Sequence, residues 1–439
     1  MPSEPEETKK RGLGLWMSTA LVVGNMIGSG IFLLPASLAA YGGISIFGWL
    51  FTATGAMLLA LVYARLSGIM PKTGGPYVYI QAGFGDFAGF LAAWGYWISI
   101  FVGNAAIAVG FVGYFAFFWP ALASNSLLAA AVALGSIWLL TWVNAMGVRT
   151  AGFVQLITTV LKILPLVVIG TLGFLFFKID NFTPFNASEG SSFSAITASA
   201  ALTLWAFLGL ESATIPADDV KDPTHTIPRA TLLGTLFSAI IYILGTVAVM
   251  GIIPPTSLAN STAPFADAAN SIWGSWAGYA VAAGAAISSF GALNGWILLS
   301  GQIPLAIARD KLFPEKFSRL SKRGTPVFGL VVSSVLVTAI MAVNYTKNLV
   351  EQFTFIILLS TLTALFLYTL STMSELMISI KERGKFSGGK LLKTTILSVL
   401  AFLYTLWAMA GAGQEVVYWG FLLIMSGVPV YVWLKWRNA

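Results

Sequence analysis

Gly28-Ser29-Gly30, Lys162 and Glu211 are the residues of this 439-residue chain whose type and position could do chemistry, because each lies inside a long apolar run. The triplet interrupts the first run at about the depth where a helix would cross the middle of a bilayer. A break there exposes backbone polar groups to hydrocarbon, at several kcal/mol each, unless they line a cavity or hold a ligand. The sixth run has a matching weak point, Trp205-Ala206-Phe207-Leu208-Gly209-Leu210-Glu211-Ser212-Ala213. Unwound backbone at two such points offers half-helix amides to a carboxylate and free carbonyls to an ammonium, and an α-amino acid carries both groups. The chemistry is therefore binding. Small residues also serve close helix packing, which suits the scattered Gly103, Gly110 and Gly113. For the triplet, the paired break and the preceding Asn25 favour a site.

An ionised Glu211 costs at least about 2.5–3.5 kcal/mol in a membrane helix, so it is expected to face a cavity or carry a proton. The alternative is a structural role, bonding loop backbone at the break. Lys162 lies too far from either end of its run to reach headgroups by snorkelling.

Composition sets the class of element that must hold these residues. Hydrophobic residues make up 57% and charged ones 9% of the chain, against about a quarter charged in a soluble domain. This is a polytopic membrane protein. The formal charge of +7 comes from short loops between apolar runs, a topology signal that excludes nucleic acid as a partner. With no cysteine and one histidine, His225 in a polar loop, thiolate metal sites, zinc chemistry and a Ser-His-Asp hydrolase are excluded. No Gly-x-x-x-x-Gly-Lys-Ser/Thr motif is present to bind ATP, and no acid, base or metal ligands cluster. The in-span charges are too few for an ion channel. The protein is expected to be no enzyme and to need no cofactor or metal.

Twelve apolar segments, each near or above the roughly 20 residues that span a bilayer, follow a polar tail ending Lys9-Lys10-Arg11. They run approximately Leu15–Tyr41, Ile44–Ile69, Phe87–Trp119, Leu127–Met146, Phe153–Phe177, Ala195–Ile215, Ala230–Ile253, Gly278–Ala308, Val327–Val343, Phe353–Ile378, Leu391–Ala412 and Val416–Leu434. The segments between them would place 21 basic residues inside and only Lys178 and Lys347 outside, which puts both termini in the cytoplasm of a cell-membrane protein. Two amphipathic stretches, Thr73 to Ala82 and Ala263 to Ile272, follow the second and seventh spans on opposite sides. That pattern predicts an inverted repeat. The expected division is a tail over residues 1–14, a five-helix repeat over 15–177, its inverted copy over 178–378, two further helices over 379–434 and a tail over 435–439.

Gly24-Asn25-Met26-Ile27-Gly28-Ser29-Gly30-Ile31-Phe32-Leu33-Leu34-Pro35 resembles the first helix of the amino acid-polyamine-organocation (APC) transporters. Trp205-Ala206-Phe207-Leu208-Gly209-Leu210-Glu211-Ser212 and Ser261-Thr262-Ala263-Pro264-Phe265 look most like the basic amino acid/polyamine antiporters, such as arginine/agmatine and putrescine/ornithine exchangers. The resemblance covers nearly the whole chain. It implies an all-α membrane protein of the LeuT-type fold, with twelve transmembrane helices in a 5+5 inverted repeat, broken first and sixth helices, and alternating access. It also implies substrate held at Asn25, Ile27, Gly28, Ser29 and Gly30 and near Trp205 and Leu208. Trp205 would cap the substrate, Tyr96 and Trp296 would line its exits, and Asn104 would hydrogen-bond it. The matching antiporter glutamate, here Glu211, couples proton state to exchange.

Lys162 departs from the arginine/agmatine pattern, which is apolar there. It resembles neutral amino acid members of the superfamily, in which the ammonium lies beside the first-helix break where sodium-coupled relatives hold the ion. A fixed cation disfavours a second one nearby, so no sodium dependence is expected. Apolar Ile100, Ile107, Ala292 and Leu358, expected around the side-chain pocket, add to a leaning toward a neutral or modestly polar amino acid, with hydrogen bonds from Ser99, Asn294, Ser360 and Thr361. The alternative is a polyamine/basic amino acid antiporter, whose cationic substrate would use Glu211 and the aromatic face of Trp296. Exchange and proton symport stay open. By resemblance, a homodimer would meet through the last two helices.

Overall fold

The computed structural model describes residues 13–72, 74–146, 162–215, 217, 220–344, 349–381 and 388–438. The expected basic tail Lys9-Lys10-Arg11, residues 153–161 of the fifth apolar segment, and the loop residues Thr73, Arg149, Lys347, Arg383 and Lys385 lie outside the described residues.

Where they are described, the apolar segments are helical, most of them as one helix or a pair. The first is split into α1 (Leu15–Met26) and α2 (Ser29–Ala39), bent by 40°. After it come α3 (Ser45–Ile69), the short α4 (Pro76–Phe84), α5 (Asp86–Phe115), α6 (Ser126–Met146) and α7 (Lys162–Phe176). α4 carries no charge and buries Pro76, Tyr77, Tyr79, Ile80 and Gly83, so it is not the amphipathic helix expected there. The second half of the chain gives α8 (Ser192–Leu204), α9 (Pro223–Ile252), the amphipathic α10 (Pro264–Trp273), α11 (Ser275–Arg309), α12 (Val327–Asn344) and α13 (Leu349–Lys381). The chain closes with α14 (Gly388–Gly411), α15 (Gln414–Met425) and α16 (Gly427–Asn438), which divide the last apolar segment at Ser426. Among the described residues nine helices are long and apolar enough to cross a membrane, ten with the bent first pair, and the shorter Lys162–Phe176 and Val327–Ala342 are apolar too. The only strand-like contact described is one bridge, Leu13 to Val220.

Local chemistry explains the element ends. Pro76, Pro223 and Pro264 each open a helix at a first-turn position, where their missing N–H is no loss. Ser191 caps α8 by accepting from the Ser194 amide at 3.2 Å. Two glycines stand in matching corners: Gly85 (φ 88°, ψ −177°) between α4 and α5, and Gly274 (φ 85°, ψ −179°) between α10 and α11. Only glycine adopts that conformation without strain, so each short helix folds back onto the long helix after it by the same device.

α5 is the axis. It packs against α11 on one side and α13 on the other, while α3 packs on α8 and α9, and α1 on α9. Apolar residues on the outer faces, such as Phe47, Leu139, Leu236, Leu403 and Phe421, stay exposed, as lipid-facing residues should. The sixth segment differs from a simple helix–break–helix. Beyond Leu204 it runs through short 3₁₀ turns at Trp205–Phe207 and Ser212–Thr214. Gly209, with φ 100°, takes the chain out of the helical region at that point.

Candidate substrate site

The two breaks meet. Gly209 has φ 100°, and a Cβ on it would stand 3.2 Å from the Asn25 carbonyl carbon and 3.3 Å from its oxygen, so glycine serves both the turn and the close approach. At this junction lies a cavity of about 30 Å³, lined on the first break by Asn25, Met26, Gly28, Ser29 and Gly30. α5 contributes Tyr96, Ser99, Ile100, Gly103 and Ile107, the sixth segment Trp205, Ala206 and Leu208, and α11 and α13 Trp296 and Ser360.

Helix geometry decides what the first break offers. α2 begins at Ser29 with no side-chain cap at Gly28, so its first amides lack intrahelical partners and face the break. They carry the positive end of the helix dipole, a seat for an anion. The C-terminus of α1 presents carbonyls of opposite sign. One of them, Gly24 O, accepts a hydrogen bond from the buried Lys162 ammonium. Ser29 lines the cavity, and its Oγ is buried with no hydrogen-bond partner among the described residues. Such an orphan hydroxyl is costly unless a ligand or water meets it.

Trp205 lies across the cavity. Its indole is wedged between two glycines: a Cβ on Gly30 would fall 2.7 Å from Trp205 Cδ1 and Nε1, and one on Gly103 would fall 2.8 Å from Cη2. Any alanine there would displace the ring. Ser99 and Ser360 tie α5 to α13 below it, with Ser360 Oγ donating to Ser99 O at 2.7 Å.

Glu211 is fully buried and sits one hydroxyl away from the cavity. Tyr96 OH, which lines the cavity, donates to Glu211 Oε1 at 2.5 Å, and Tyr368 OH donates to Oε2 at 2.7 Å. Two hydroxyl donors replace the water that a buried carboxylate has lost. Thr214 Oγ1 and the Thr214 amide bond the Glu211 carbonyl at 2.7 and 2.8 Å, so the residue also holds the turn. Tyr368 is the functional neighbour that sequence reasoning missed. It lies 157 residues from Glu211 along the chain, and one tyrosine in an apolar run carries no local signal.

The structure sorts the other expected site residues. Asn25, Gly28, Ser29, Gly30, Tyr96, Ser99, Trp205, Leu208 and Trp296 share the cavity, while Ile27 turns away into the core and its amide bonds Val23 O at 2.8 Å. Asn104 is buried beside it without lining it, and its Oδ1 has no hydrogen-bond partner among the described residues. Ile100 and Ile107 line the cavity. Ala292 packs against Gly28 instead, and Leu358 lies in a second, wider cavity of about 550 Å³ with Ser37, Tyr41, Thr354 and Glu415. Asn294 accepts from Asn144 Nδ2 at 3.0 Å rather than facing the cavity. Half of the expected apolar pocket is therefore elsewhere, because helix rotation, which hydropathy does not register, decides which face a residue presents.

Among the described residues no group of histidine and carboxylates could hold a metal ion. His225 is exposed and pairs with Asp222, 3.0 Å away, whose carboxyl that hydrogen bond holds below the usual range.

Bundled apolar helices around a buried cavity between two helix breaks define a multi-pass membrane permease. The amino acid permease family profile matches residues 13–434, and the chain belongs to that family. It is 33% identical over 433 residues to the putrescine transporter PotE of Haemophilus influenzae, covering 98% of each chain. It is 37% identical over 340 residues, 76% of each chain, to the cadaverine/lysine antiporter of Escherichia coli K12. To PotE of the same E. coli strain the identity is 33% over 429 residues, 97% of this chain and 96% of the relative.

Proposed function

We propose that the protein is a polyamine/basic amino acid antiporter that exchanges a diamine for a basic amino acid by alternating access. The relatives named for putrescine and for cadaverine and lysine favour this reading over a neutral amino acid substrate. The structural observation that carries it is the Tyr96–Glu211–Tyr368 contact, a buried carboxylate one hydroxyl from a cavity walled by Trp205, Trp296 and Tyr96. Indole and phenol faces attract ammonium groups, and the carboxylate adds to that attraction in a poorly screened interior.

In this reading the amides opening α2 and the Ser29 hydroxyl hold an amino acid carboxylate, and carbonyls of the breaks hold an amine. Trp205 closes over the substrate. Lys162 occupies the carbonyl end of α1, which makes sodium unnecessary, and Glu211 exchanges a proton as the substrate changes. Twelve spans with both termini cytoplasmic fit the loop charges, and a 5+5 inverted repeat followed by two helices fits the paired Gly85 and Gly274 corners. The repeats would cover residues 15–177 and 178–378, with 379–434 as the added pair and any homodimer contact.

Proteoliposomes preloaded with putrescine, cadaverine, lysine, arginine or alanine test the substrate. Uptake of labelled putrescine or lysine should be driven by internal diamine or basic amino acid, without sodium, and not by alanine. Alanine exchange in the absence of putrescine exchange would return the neutral reading.

A further inference from the structure

One buried charge pair has no part in the cavity. Arg65 Nε, on α3, lies 2.9 Å from Glu375 Oε1, on α13, with the glutamate side chain fully buried and 29% of the arginine side chain exposed. Glu375 Oε2 accepts from Ser398 Oγ at 2.9 Å, and the Arg65 guanidinium donates to Thr394. One charged knot therefore ties α3, α13 and α14 together. Glu375 lies seven residues, two helical turns, after Tyr368, on the same face of α13. Between them Ser371 accepts from Tyr63 OH at 3.1 Å, so the knot extends the Glu211–Tyr368 contact toward one end of the molecule.

That end is shut. Tyr63, Ser371, Ser374, Ser379 and Ser398 are all buried, whereas the other end carries the open cavity of about 550 Å³ beside α2 and the start of α13. A buried pair is held strongly because parting it strands a charge in a low dielectric. Arg65, partly exposed, has a route to water once the pair separates.

We infer that Arg65 and Glu375 form a charge lock that keeps the cytoplasmic half closed and parts each time the cavity opens to that side. The inference rests on the alternating-access reading above. A static brace, which never parts during transport, is the competing role.

The chain contains no cysteine, so a single introduced thiol reports accessibility. Ser379, one turn beyond Glu375, is buried and its hydroxyl has no hydrogen-bond partner among the described residues, so Ser379→Cys disturbs little. In inside-out vesicles, a charged maleimide should label this variant slowly, at a rate that putrescine or lysine changes. Adding Glu375→Gln should speed labelling about five-fold or more, the range of a modest shift between two states. Ser398→Ala should speed it less, in the same direction. Unchanged labelling in a Glu375→Gln protein that still exchanges substrate overturns the lock in favour of the brace. If Glu375→Gln does not accumulate, Ser398→Ala decides by the same readout. A parent whose labelling ignores substrate on both sides would sink alternating access and the lock with it, whereas a parent that responds, with Glu375→Gln inert, sinks the lock alone.

Discussion

The two breaks that meet at the cavity are built by different means. The first is short, two residues between α1 and α2, and works through backbone: small residues, uncapped amides on one side and carbonyls on the other. The second runs from Trp205 to Thr214 and works through side chains, with Trp205 across the cavity and Glu211 behind it. Their ionisable groups are of opposite kind. Lys162 holds a carbonyl of the first, and two tyrosine hydroxyls hold the carboxylate of the second. On the reading proposed above, a substrate with both an ammonium and a carboxylate would meet a basic group at one wall and an acidic group behind the other, and a diamine would draw on the second wall more than the first.

The largest expected effect lies at the first break. Lys162→Ala removes a charged donor from Gly24 O, and hydrogen bonds to charged groups contribute about 1.5–3 kcal/mol. Exchange should fall roughly ten- to hundred-fold, in a protein that still elutes as a folded species. If the comparison holds, amino acid exchange should suffer more than diamine exchange. Equal loss for both substrates would mean that the lysine supports the bend itself rather than the carboxylate seat.

Glu211→Gln probes the second break, and a smaller drop, about ten-fold, is expected because the amide still accepts from one tyrosine. The sign is fixed by chemistry: glutamine is uncharged at every pH, so a rate that varies with pH in the parent should become flat. A profile that keeps its shape would give Glu211 the purely structural part it plays through Thr214, and proton coupling would have to rest on another group.

How far such features can be read from sequence follows the range of the interaction. The apolar runs, the triplet, the Gly209–Glu211 weak point and the two amphipathic stretches are local patterns, and helices begin and end near them: Pro76–Phe84 and Pro264–Trp273 fall within a few residues of Thr73–Ala82 and Ala263–Ile272. Tyr368, and the Arg65–Glu375 contact that joins positions 310 residues apart, depend on how helices rotate against each other, which hydropathy averages away. The same rotation puts Leu358 in the wider cavity and turns Asn294 to Asn144. The permissive glycines under Trp205 were visible as glycines, but their use as a seat for the indole needed the fold.

Tyr368→Phe makes the finest cut, because it removes one donor from Glu211 and leaves the ring against Tyr63, 5.8 Å between centroids. Tyr96→Phe removes the other donor but also alters the cavity wall, which Tyr96 lines and Tyr368 does not. Loss of one such bond costs about 1.5–3 kcal/mol in its immediate setting, part of which a water molecule can return. A two- to five-fold decrease in turnover, roughly, with unchanged apparent substrate affinity is therefore expected for Tyr368→Phe. The same change at Tyr96 should also weaken affinity. If Tyr368→Phe alters affinity as much as Tyr96→Phe does, the second break recognises substrate through the whole Glu211 network, and its division into a cavity wall and a charge behind it is wrong.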